Sequence, residues 1–340
     1  MNDSLVYRSR PLRPVKLAGL ATYVPPRVLT NADLEKLVST SDEWILQRTG
    51  IRERHIADPG VATSDLAKVA AEGALAEAGL TADQLGFIVV GTTTPDTIFP
   101  STACMLQAKL GATRAWGFDL GAACSGFTYA LTTAMQMVAT GAHDYALAVG
   151  ADVMSSIIDY TDRTTCVLFG DGAGAVVVAP ATEDEPHIID FAHMIDGSGG
   201  AALCMPAGGS KLPASHETVD KRLHYVKQEG ATVFKFAVKN TEEIARRVLD
   251  KNGIDPSEID LFVSHQANRR IIEASAERLG LGPDKVIINL EMYGNTTAGT
   301  IPLALADARR QGRVKKGDLV LLASVGAGFT VGAVLLRWSL

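Results

Sequence analysis

Residues 79–90 read GLTADQLGFIVV, and residues 253–264 read GIDPSEIDLFVS. In both stretches a helix rich in Ala, Leu and Glu ends at a glycine, a short polar turn follows, and an apolar strand begins. The strands at 145–149 and 319–323 form a second pair, each preceded by a turn with glycine and aspartate. Both pairs are offset by about 174 residues. Two matches in register indicate an internal duplication of a strand and helix unit, which predicts an α/β protein.

The strands of this unit are almost entirely apolar, as at 87–90 and 175–178. Strands of that kind belong to sheets that are covered on both faces. We therefore predict an internally duplicated, five-layered αβαβα sandwich, with an N-terminal half at 1–180 and a C-terminal half at 181–340. An acidic run between two prolines, within residues 180–186, marks the junction between the halves.

Two segments need their own interpretation. Residues 196–224 are rich in Gly, Ser and Pro and are predicted to be an inserted loop. Residues 319–336 carry no charge and are long enough to be scored as a membrane span. Glycines break this second stretch into short pieces rich in Val and Leu, which favours two buried strands over a spanning helix.

The composition limits the possible classes of function. The chain has 340 residues, of which 47% are hydrophobic, and a formal net charge of −6. These values predict a large core and argue against a general nucleic-acid binder. Four scattered cysteines without a CxxC pair argue against a disulfide scaffold or a zinc site and indicate a reducing compartment. The first 26 residues contain no apolar run of the signal-peptide type, so we expect a cytoplasmic protein.

A candidate nucleophile lies in the segment GAACSGF at 121–127, which follows a predicted strand and opens a helix. The positive end of the helix dipole favours the thiolate of Cys124 there, although an isolated cysteine is more often buried and inert. The segment YGNTTA at 293–298 stands at the equivalent helix start, also after a predicted strand, and His265 ends the repeated strand. Because sites form at strand ends in α/β sheets, Cys124, His265 and Asn295 are candidate catalytic residues.

Several further stretches resemble those of a known family. They read TNADLE at 30–35, TSDEWI at 40–45, RTGIRER at 48–54, FGDGAG at 169–174, HQAN at 265–268 and YGNT at 293–296. Over nearly its whole length the chain resembles the β-ketoacyl-acyl carrier protein synthase III family, the condensing enzymes that initiate fatty-acid synthesis. The resemblance implies the thiolase fold, a homodimer and an acyltransferase. Its substrates would be an acyl-CoA and malonyl-acyl carrier protein, and it would need no cofactor, metal, nucleic acid or membrane.

The same resemblance assigns the catalytic roles. It implies that Cys124, His265 and Asn295 form a triad in which Cys124 holds the acyl group of the primer thioester. The backbone N–H groups of Cys124 and Ala327 would form the oxyanion hole. His265 and Asn295 would donate hydrogen bonds to the malonyl thioester carbonyl and stabilise the enolate that remains when CO2 departs. An Asn amide suits this role because it donates without titrating.

Substrate contacts are implied in the same way. The residues that match the CoA tunnel of the family are Trp44, Arg48, Thr49, Arg163 and Asn268. Trp44 and Arg163 would hold the adenine by stacking. Phe99 resembles the residue that crosses the dimer interface and closes the primer pocket, where a bulky ring suggests short primers such as acetyl. Val325 also belongs to this pocket but stands where Phe is frequent, which leaves the size of the pocket open.

An acidic carrier protein should dock on a basic surface. The basic residues at or near the docking positions of the family are Lys235, Arg269, Arg270 and Arg278. Glu277 stands where a docking Lys is often found, and a solvated charged face is the alternative interpretation of these residues.

Other classes of protein share parts of this pattern. A related condensing enzyme or acyltransferase of secondary metabolism could use the same triad with longer or branched acyl groups. A non-catalytic carrier-protein-binding subunit would not need all three triad residues. A degradative thiolase needs a second cysteine near the C-terminal end, where GAG at 326–328 has none. The GDGAG run at 170–174 leads into a strand instead of a helix, which argues against NAD binding.

Overall fold

A computed structural model describes residues 12–340 of the chain. Its strands are β1 Val15–Tyr23, β2 Val28–Thr30, β3 Glu53–His55, β4 Phe87–Gly91, β5 Trp116–Leu120, β6 Ala146–Asp152, β7 Gly172–Pro180, β8 Ile188–Ile195, β9 Leu203–Cys204, β10 Lys227–Gln228, β11 Leu261–Ser264, β12 Leu319–Gly326 and β13 Thr330–Arg337. Its α-helices are α1 Asn31–Glu35, α2 Asp42–Thr49, α3 Thr63–Ala78, α4 Thr102–Leu110, α5 Gly126–Ala139, α6 His216–Asp220, α7 Gly230–Lys251, α8 Arg269–Leu279, α9 Leu290–Tyr293 and α10 Thr300–Arg310.

The two large sheets confirm the predicted duplication. The first has the strand order β1-β7-β6-β4-β5, and the second has the order β8-β13-β12-β11. In both sheets the strands that correspond pair in the same sense: β4 is parallel to β6 as β11 is to β12, and β7 and β13 are antiparallel to their neighbours. The second sheet therefore repeats the first without its outermost strand.

The five predicted layers are present because each sheet is apolar on both faces. Helices α3 and α4 pack on the outer face of the first sheet, and α7 and α8 pack on the outer face of the second. Helices α5 and α10 lie between the sheets, where the inner faces of both contribute to one shared core. Strand β4 shows the pattern directly, since all five of its residues are buried. The fold is α/β and of the thiolase type.

The uncharged stretch at 319–336 forms the two buried strands β12 and β13, as predicted. No helix among residues 12–340 is both long enough and apolar enough to cross a membrane.

The strand expected before Asn295 is wrong. The part of the second half that corresponds to β5 makes only a single bridge, between Val286 and Phe262, and the short helix α9 then leads to Asn295. A side chain replaces the strand partner here. The N–H of Asn289 donates to the side-chain oxygen of Gln266 at 3.0 Å. This backbone N–H thus has a hydrogen-bond acceptor without pairing to a neighbouring strand.

The first sheet ends at Pro180 and the second begins at Ile188, on either side of the acidic run. The division of the chain into halves at 180 stays a prediction, since the two sheets share a core.

The inserted loop at 196–224 contains β9 and α6 and is anchored at identifiable points. The Arg222 guanidinium donates two hydrogen bonds, of 2.8 and 2.5 Å, to the buried carboxylate of Asp159. Just beyond the loop, the N–H of Val226 donates to the carbonyl of Ile157 at 3.0 Å. These contacts hold the loop against the segment that follows β6.

Candidate active site

Cys124 lies in a 3-10 turn, Ala123–Ser125, directly before α5. Ala123 has a φ of 47°, a left-handed conformation that is uncommon for a residue with a side chain. The end of β12 packs so closely on this turn that a Cβ at Gly326 would lie 2.7 Å from the Cys124 nitrogen. Glycine at 326 is therefore required for the approach, and Cys124 is buried in this packing.

Burial raises the pKa of the Cys124 thiol to about 12, and the negative charge of Asp152 acts in the same direction. The backbone N–H groups of Cys124 and Ala327 lie beside the sulfur and lower the pKa, but by less. The backbone N–H groups at the site thus favour the thiolate in the expected direction, but loss of hydration outweighs them and the net shift of the pKa is upward. The resting nucleophile is a thiol.

His265 follows β11 and is held by the second sheet and by α10. Its N–H donates to the carbonyl of Ala323 at 2.8 Å, and its ring Nδ1 lies 2.6 Å from Oγ1 of Thr300. The Thr300 hydroxyl also lies 3.0 Å from the carbonyl oxygen of Thr297, and its single hydrogen can serve only one of the two acceptors. Burial lowers the pKa of His265 to about 3, so the ring is neutral at ordinary pH.

Asn295 is fixed through its backbone and its side chain. Its N–H donates to the carbonyl of Leu168 at 2.8 Å, and its carbonyl accepts from the N–H of Gly170 at 3.1 Å. Its side-chain Oδ1 accepts from the N–H of Thr297 at 2.9 Å. Because the oxygen end of the amide is occupied, the NH2 end is the part of this side chain that can donate to a ligand.

One cavity of about 210 Å³ joins these residues. Its lining includes all three predicted catalytic residues, namely Cys124, His265 and Asn295, and the predicted substrate contacts Trp44, Arg48, Thr49, Asn268 and Val325. A second, apolar cavity of about 120 Å³ also reaches Cys124 and contains Ala327. Its wall includes Leu203 and Met205 of the inserted loop, so the loop lies at the site.

Trp44 is presented by a well-capped helix. The Ser41 hydroxyl accepts from the Trp44 N–H at 3.2 Å, and α2 ends at Gly50 in the left-handed conformation. The Arg163 guanidinium carbon lies 5.2 Å from the centroid of the Trp44 ring, and that of Arg48 lies 6.0 Å from it. Arg163 does not line the cavity itself, but it places a cation over the indole at the cavity's edge.

Comparison with known proteins places the chain in a family. A family model for 3-oxoacyl-[acyl-carrier-protein] synthase III matches residues 118–197, and one for its C-terminal part matches residues 249–338. The β-ketoacyl-[acyl-carrier-protein] synthase III of Solibacter usitatus is 58% identical over 95% of this chain and 98% of that protein. The chain belongs to the β-ketoacyl-[acyl-carrier-protein] synthase III family. It is therefore a condensing acyltransferase, as predicted.

Two other members of the synthase III family agree with this placement. The synthase III of Koribacter versatilis is 56% identical over 96% of this chain and 99% of that protein. The crystal structure of the synthase III from Aquifex aeolicus superposes with a TM-score of 0.88 at 45% identity, and covers 95% of this chain and 100% of that one.

Two of the residues predicted to contact CoA have their polar atoms engaged within the protein. Thr49 is buried, and its hydroxyl donates to the carbonyl of Ile45 at 2.7 Å. Asn268 caps α8 by accepting from the N–H of Arg270 at 2.9 Å, and it donates to the carbonyl of Arg48 at 2.9 Å. Both residues line the cavity, but the side-chain contacts that they make hold its wall together.

The four predicted docking residues differ in their surroundings. Lys235 and Arg270 are exposed, and Arg270 lies 5.6 Å from the centroid of the Phe234 ring. The others carry acidic partners: Arg269 pairs with Glu291 at 3.1 Å and Arg278 pairs with Glu242 at 3.0 Å. The free basic charge of this surface is thus centred on Lys235 and Arg270.

Phe99 is 83% exposed and lies outside both cavities of its own protomer. Its neighbour Ile98 is 85% exposed, and two aromatic side chains of the edge strand β5, Trp116 and Phe118, are also exposed. A primer pocket closed by Phe99 would have to belong to another protomer.

Three residues at the site were not predicted, namely Asp152, Thr297 and Thr300. Each sits where a strand ends or a helix begins in the duplicated unit, which is the signal that could have found them. Asp152 is the clearest case, because it places a carboxylate at the end of an apolar strand. Within residues 12–340, no group of three or more His, Cys, Asp or Glu side chains is placed to hold a metal ion.

Proposed function

We propose that the chain condenses a short acyl-CoA primer, acetyl-CoA above all, with malonyl-acyl carrier protein and so initiates fatty-acid synthesis. One observation carries the proposal. A single cavity is lined by a thiol, an imidazole and an amide at one part and by Trp44, Arg48 and Asn268 at another. This arrangement suits a substrate whose reactive thioester sits at the end of a long nucleotide-bearing arm.

In the first step the Cys124 sulfur attacks the thioester carbonyl of the primer. The tetrahedral oxyanion accepts hydrogen bonds from the backbone N–H groups of Cys124 and Ala327, which lie beside the sulfur. The bond between the carbonyl carbon and the CoA sulfur then breaks, and CoA leaves as a thiol with the proton that Cys124 gives up. The acyl group remains on Cys124.

In the second step the malonyl thioester carbonyl accepts hydrogen bonds from Asn295 and His265. For His265 to donate from Nε2, Nδ1 must accept, and we assign the Thr300 hydrogen to Nδ1 because this contact, at 2.6 Å, is the shorter of the two. Loss of CO2 leaves an enolate that these donors stabilise. The enolate carbon attacks the acyl carbonyl, the bond to Cys124 breaks, and the thiol is restored on protonation.

Substrate delivery follows from the surroundings of the cavity. The adenine of CoA would stack at Trp44, where Arg163 and Arg48 supply positive charge for phosphate. Carrier protein would dock near Lys235 and Arg270, and Arg269 and Arg278 would contribute after giving up part of their pairing. The enzyme would work in the cytoplasm and would need no cofactor.

A homodimer would complete the primer pocket. The exposed apolar side chains of Ile98, Phe99, Trp116 and Phe118 form a surface that a second copy could cover. Phe99 of one protomer would then close the second cavity of its partner, and Val325 would shape the passage from the first.

The proposal is tested by incubating the protein with a panel of acyl-CoA thioesters from acetyl to decanoyl, including branched chains. Intact mass and peptide mapping report the acyl group on Cys124, and addition of malonyl-acyl carrier protein reports the β-ketoacyl product. Acetyl should be transferred first and fastest. No acylation of Cys124 by any thioester would overturn the proposal, and a strong preference for long chains would overturn its choice of primer.

A further inference from the structure

Asp152 is the last residue of β6, and its carboxylate is buried. One oxygen, Oδ1, accepts hydrogen bonds from the loop that follows β4. The donors are the N–H groups of Thr93 at 2.7 Å and Thr94 at 3.1 Å and the hydroxyls of Thr92 at 3.0 Å, Thr93 at 3.0 Å and Thr94 at 2.9 Å. This oxygen therefore ties β6 to the neighbouring loop within the first half.

The other oxygen, Oδ2, reaches into the second half of the chain. It accepts from the hydroxyl of Thr297 and from the N–H of Ala298 at 3.3 Å. Among the ion pairs formed by residues 12–340, none includes Asp152. A buried carboxylate without a cation is costly unless hydrogen bonds satisfy it, so this one is held by uncharged donors from both halves.

Thr297 has a conformation that needs such support. Its φ is 50°, and a β-branched residue in the left-handed region is a genuine outlier that persists only when its surroundings impose it. This conformation aims its N–H at Oδ1 of Asn295, at 2.9 Å. The orientation of the Asn295 amide thus depends on the backbone of Thr297, and that backbone is anchored through the Thr297 hydroxyl to Asp152.

We propose that Asp152 is a positioning residue for condensation, which acts through Thr297 to fix the Asn295 amide with its NH2 group toward the malonyl carbonyl. The inference rests on the role proposed above for Asn295. It adds two residues, Thr297 and Asp152, to those that control the reaction. The Asn295 amide, in the second half, then depends on a carboxylate of the first half.

The duplication argues that this carboxylate is not needed merely to build the turn. The equivalent turn of the first half contains Ala123, with a φ of 47°, and forms without a carboxylate, since its side-chain anchor is the Ser125 hydroxyl, which donates to the carbonyl of Thr330 at 3.1 Å. The strand of the second half that corresponds to β6 is β12, which ends at Gly326 and has no carboxylate there. The fold therefore makes this turn with and without an acid, and the acid is present where the turn orients Asn295.

The test separates the two half-reactions in the full-length protein. Asp152→Asn keeps the size of the side chain but removes its charge and replaces the oxygen that faces the second half with a donating NH2 group. The Ala298 N–H then loses its acceptor and the Thr297 hydroxyl can no longer donate, so the anchor of this turn is weakened. Decarboxylation of malonyl-acyl carrier protein should fall by about 10-fold to 100-fold, while acetylation of Cys124 from acetyl-CoA should not slow by more than about threefold. Thr92→Val removes a bond to Oδ1 and the contact of the Thr94 N–H with the Thr92 hydroxyl, but it leaves both bonds to Oδ2 in place. It is the matched control and should leave decarboxylation unchanged.

A double variant tells positioning from general damage. If Asp152 acts through Asn295, then Asp152→Asn should add nothing to the loss already caused by Asn295→Ala. Multiplied losses in the double variant, or equal slowing of both half-reactions by Asp152→Asn alone, would overturn the inference. Full decarboxylation by Asn295→Ala alone would instead overturn the role proposed for Asn295.

Variants at Thr297 give a second route in case Asp152→Asn fails to fold. Thr297→Ser keeps the hydroxyl and should decarboxylate within about threefold of the wild type. Thr297→Val keeps the branching but removes the hydrogen bond and should show the 10-fold to 100-fold loss. Equal rates for the serine and valine variants would refute the anchoring role.

Discussion

The turns at Ala123–Ser125 and Thr297–Gly299 are copies of one structure. They are offset by 174 residues, each leads directly into a central helix, and each begins with a non-glycine residue at a φ near 50°. The two helix starts also touch, since a Cβ at Gly126 would lie 3.2 Å from Cβ of Ala298. The backbone of the site is thus a duplicated feature.

The chemistry of the two turns is not duplicated. Cys124 occupies the middle of the first turn, and Ala298 occupies the same place in the second. The second turn instead acts on Asn295, which precedes it and receives a hydrogen bond from Thr297. The fold therefore supplies two helix starts that lie close together. A few side chains give the first a nucleophile and let the second orient a hydrogen-bond donor.

Removal of the thiol should have the largest effect on the difference between the two turns. Cys124→Ala leaves the two turns chemically alike, and condensation should fall by at least roughly 10³-fold because no acyl-enzyme can form. Intact mass after incubation with acetyl-CoA measures the acyl-enzyme. Cys104→Ser, which alters an exposed cysteine, is the matched control and should acylate normally. An acetyl adduct on the alanine variant would show that another group is the acceptor.

Asn295→Ala should impair only the step that depends on the second turn, which is malonyl decarboxylation. Malonyl decarboxylation should fall by about 10²-fold to 10³-fold through loss of one enolate donor, while acetylation of Cys124 continues. Release of labelled CO2 measures the first rate. Asn252→Ala, at the end of α7 and away from the cavity, should decarboxylate at the wild-type rate. Unchanged decarboxylation in Asn295→Ala would remove Asn295 from the mechanism.

The two turns should also respond differently to pH. Because the Cys124 pKa is raised to about 12, its thiolate fraction and its alkylation by iodoacetamide should rise tenfold per pH unit from 7 to 9, about 100-fold in all. Because the pKa of His265 is lowered to about 3 and Asn295 does not titrate, decarboxylation should stay nearly flat between pH 5 and 8. A plateau of alkylation below pH 8 would contradict the buried-thiol interpretation.

Glycine substitutions should give the smallest and most diagnostic effects. Ala123→Gly relieves the left-handed strain and should raise the free energy of unfolding by about 0.5 kcal/mol, after the entropy cost of glycine. Thr297→Gly relieves the same strain but deletes the bond to Asp152, so the free energy of unfolding should fall by about 1 to 2 kcal/mol. Urea unfolding measures both. Equal shifts for both variants would mean that Asp152 does not stabilise the second turn.

Most of the fold was predictable, because spacing and hydrophobicity are properties of the sequence itself. The repeat at 79–90 and 253–264 gave the duplication, and three short motifs gave Cys124, His265 and Asn295. The absence of an edge strand before Asn295 was not predictable. The Asn289 N–H donates to the side chain of Gln266, 23 residues earlier, in place of a strand partner, and only the folded structure brings the two together.

The electrostatics of the site could not be predicted for a similar reason. The segment at Gly326 packs on the backbone of Cys124. It is remote in sequence and makes this contact only in the folded protein. The partners of Asp152 lie about 60 residues before it and about 145 after it, so its position at a strand end could mark the carboxylate as a candidate but could not show which groups it binds. Burial is a property of tertiary packing, and it decided the pKa of Cys124.

In the inserted loop, the residues that line a cavity are separate from the residue that anchors the loop. Leu203 and Met205 line the second cavity, whereas the grip of Arg222 on Asp159 lies outside both cavities. Substitutions at 203 and 205 would therefore remodel the wall of the proposed primer pocket while the anchor of the loop and the two helix starts remain as they are. Selectivity for the acyl group can thus evolve on one segment while the bond-forming machinery stays constant on another.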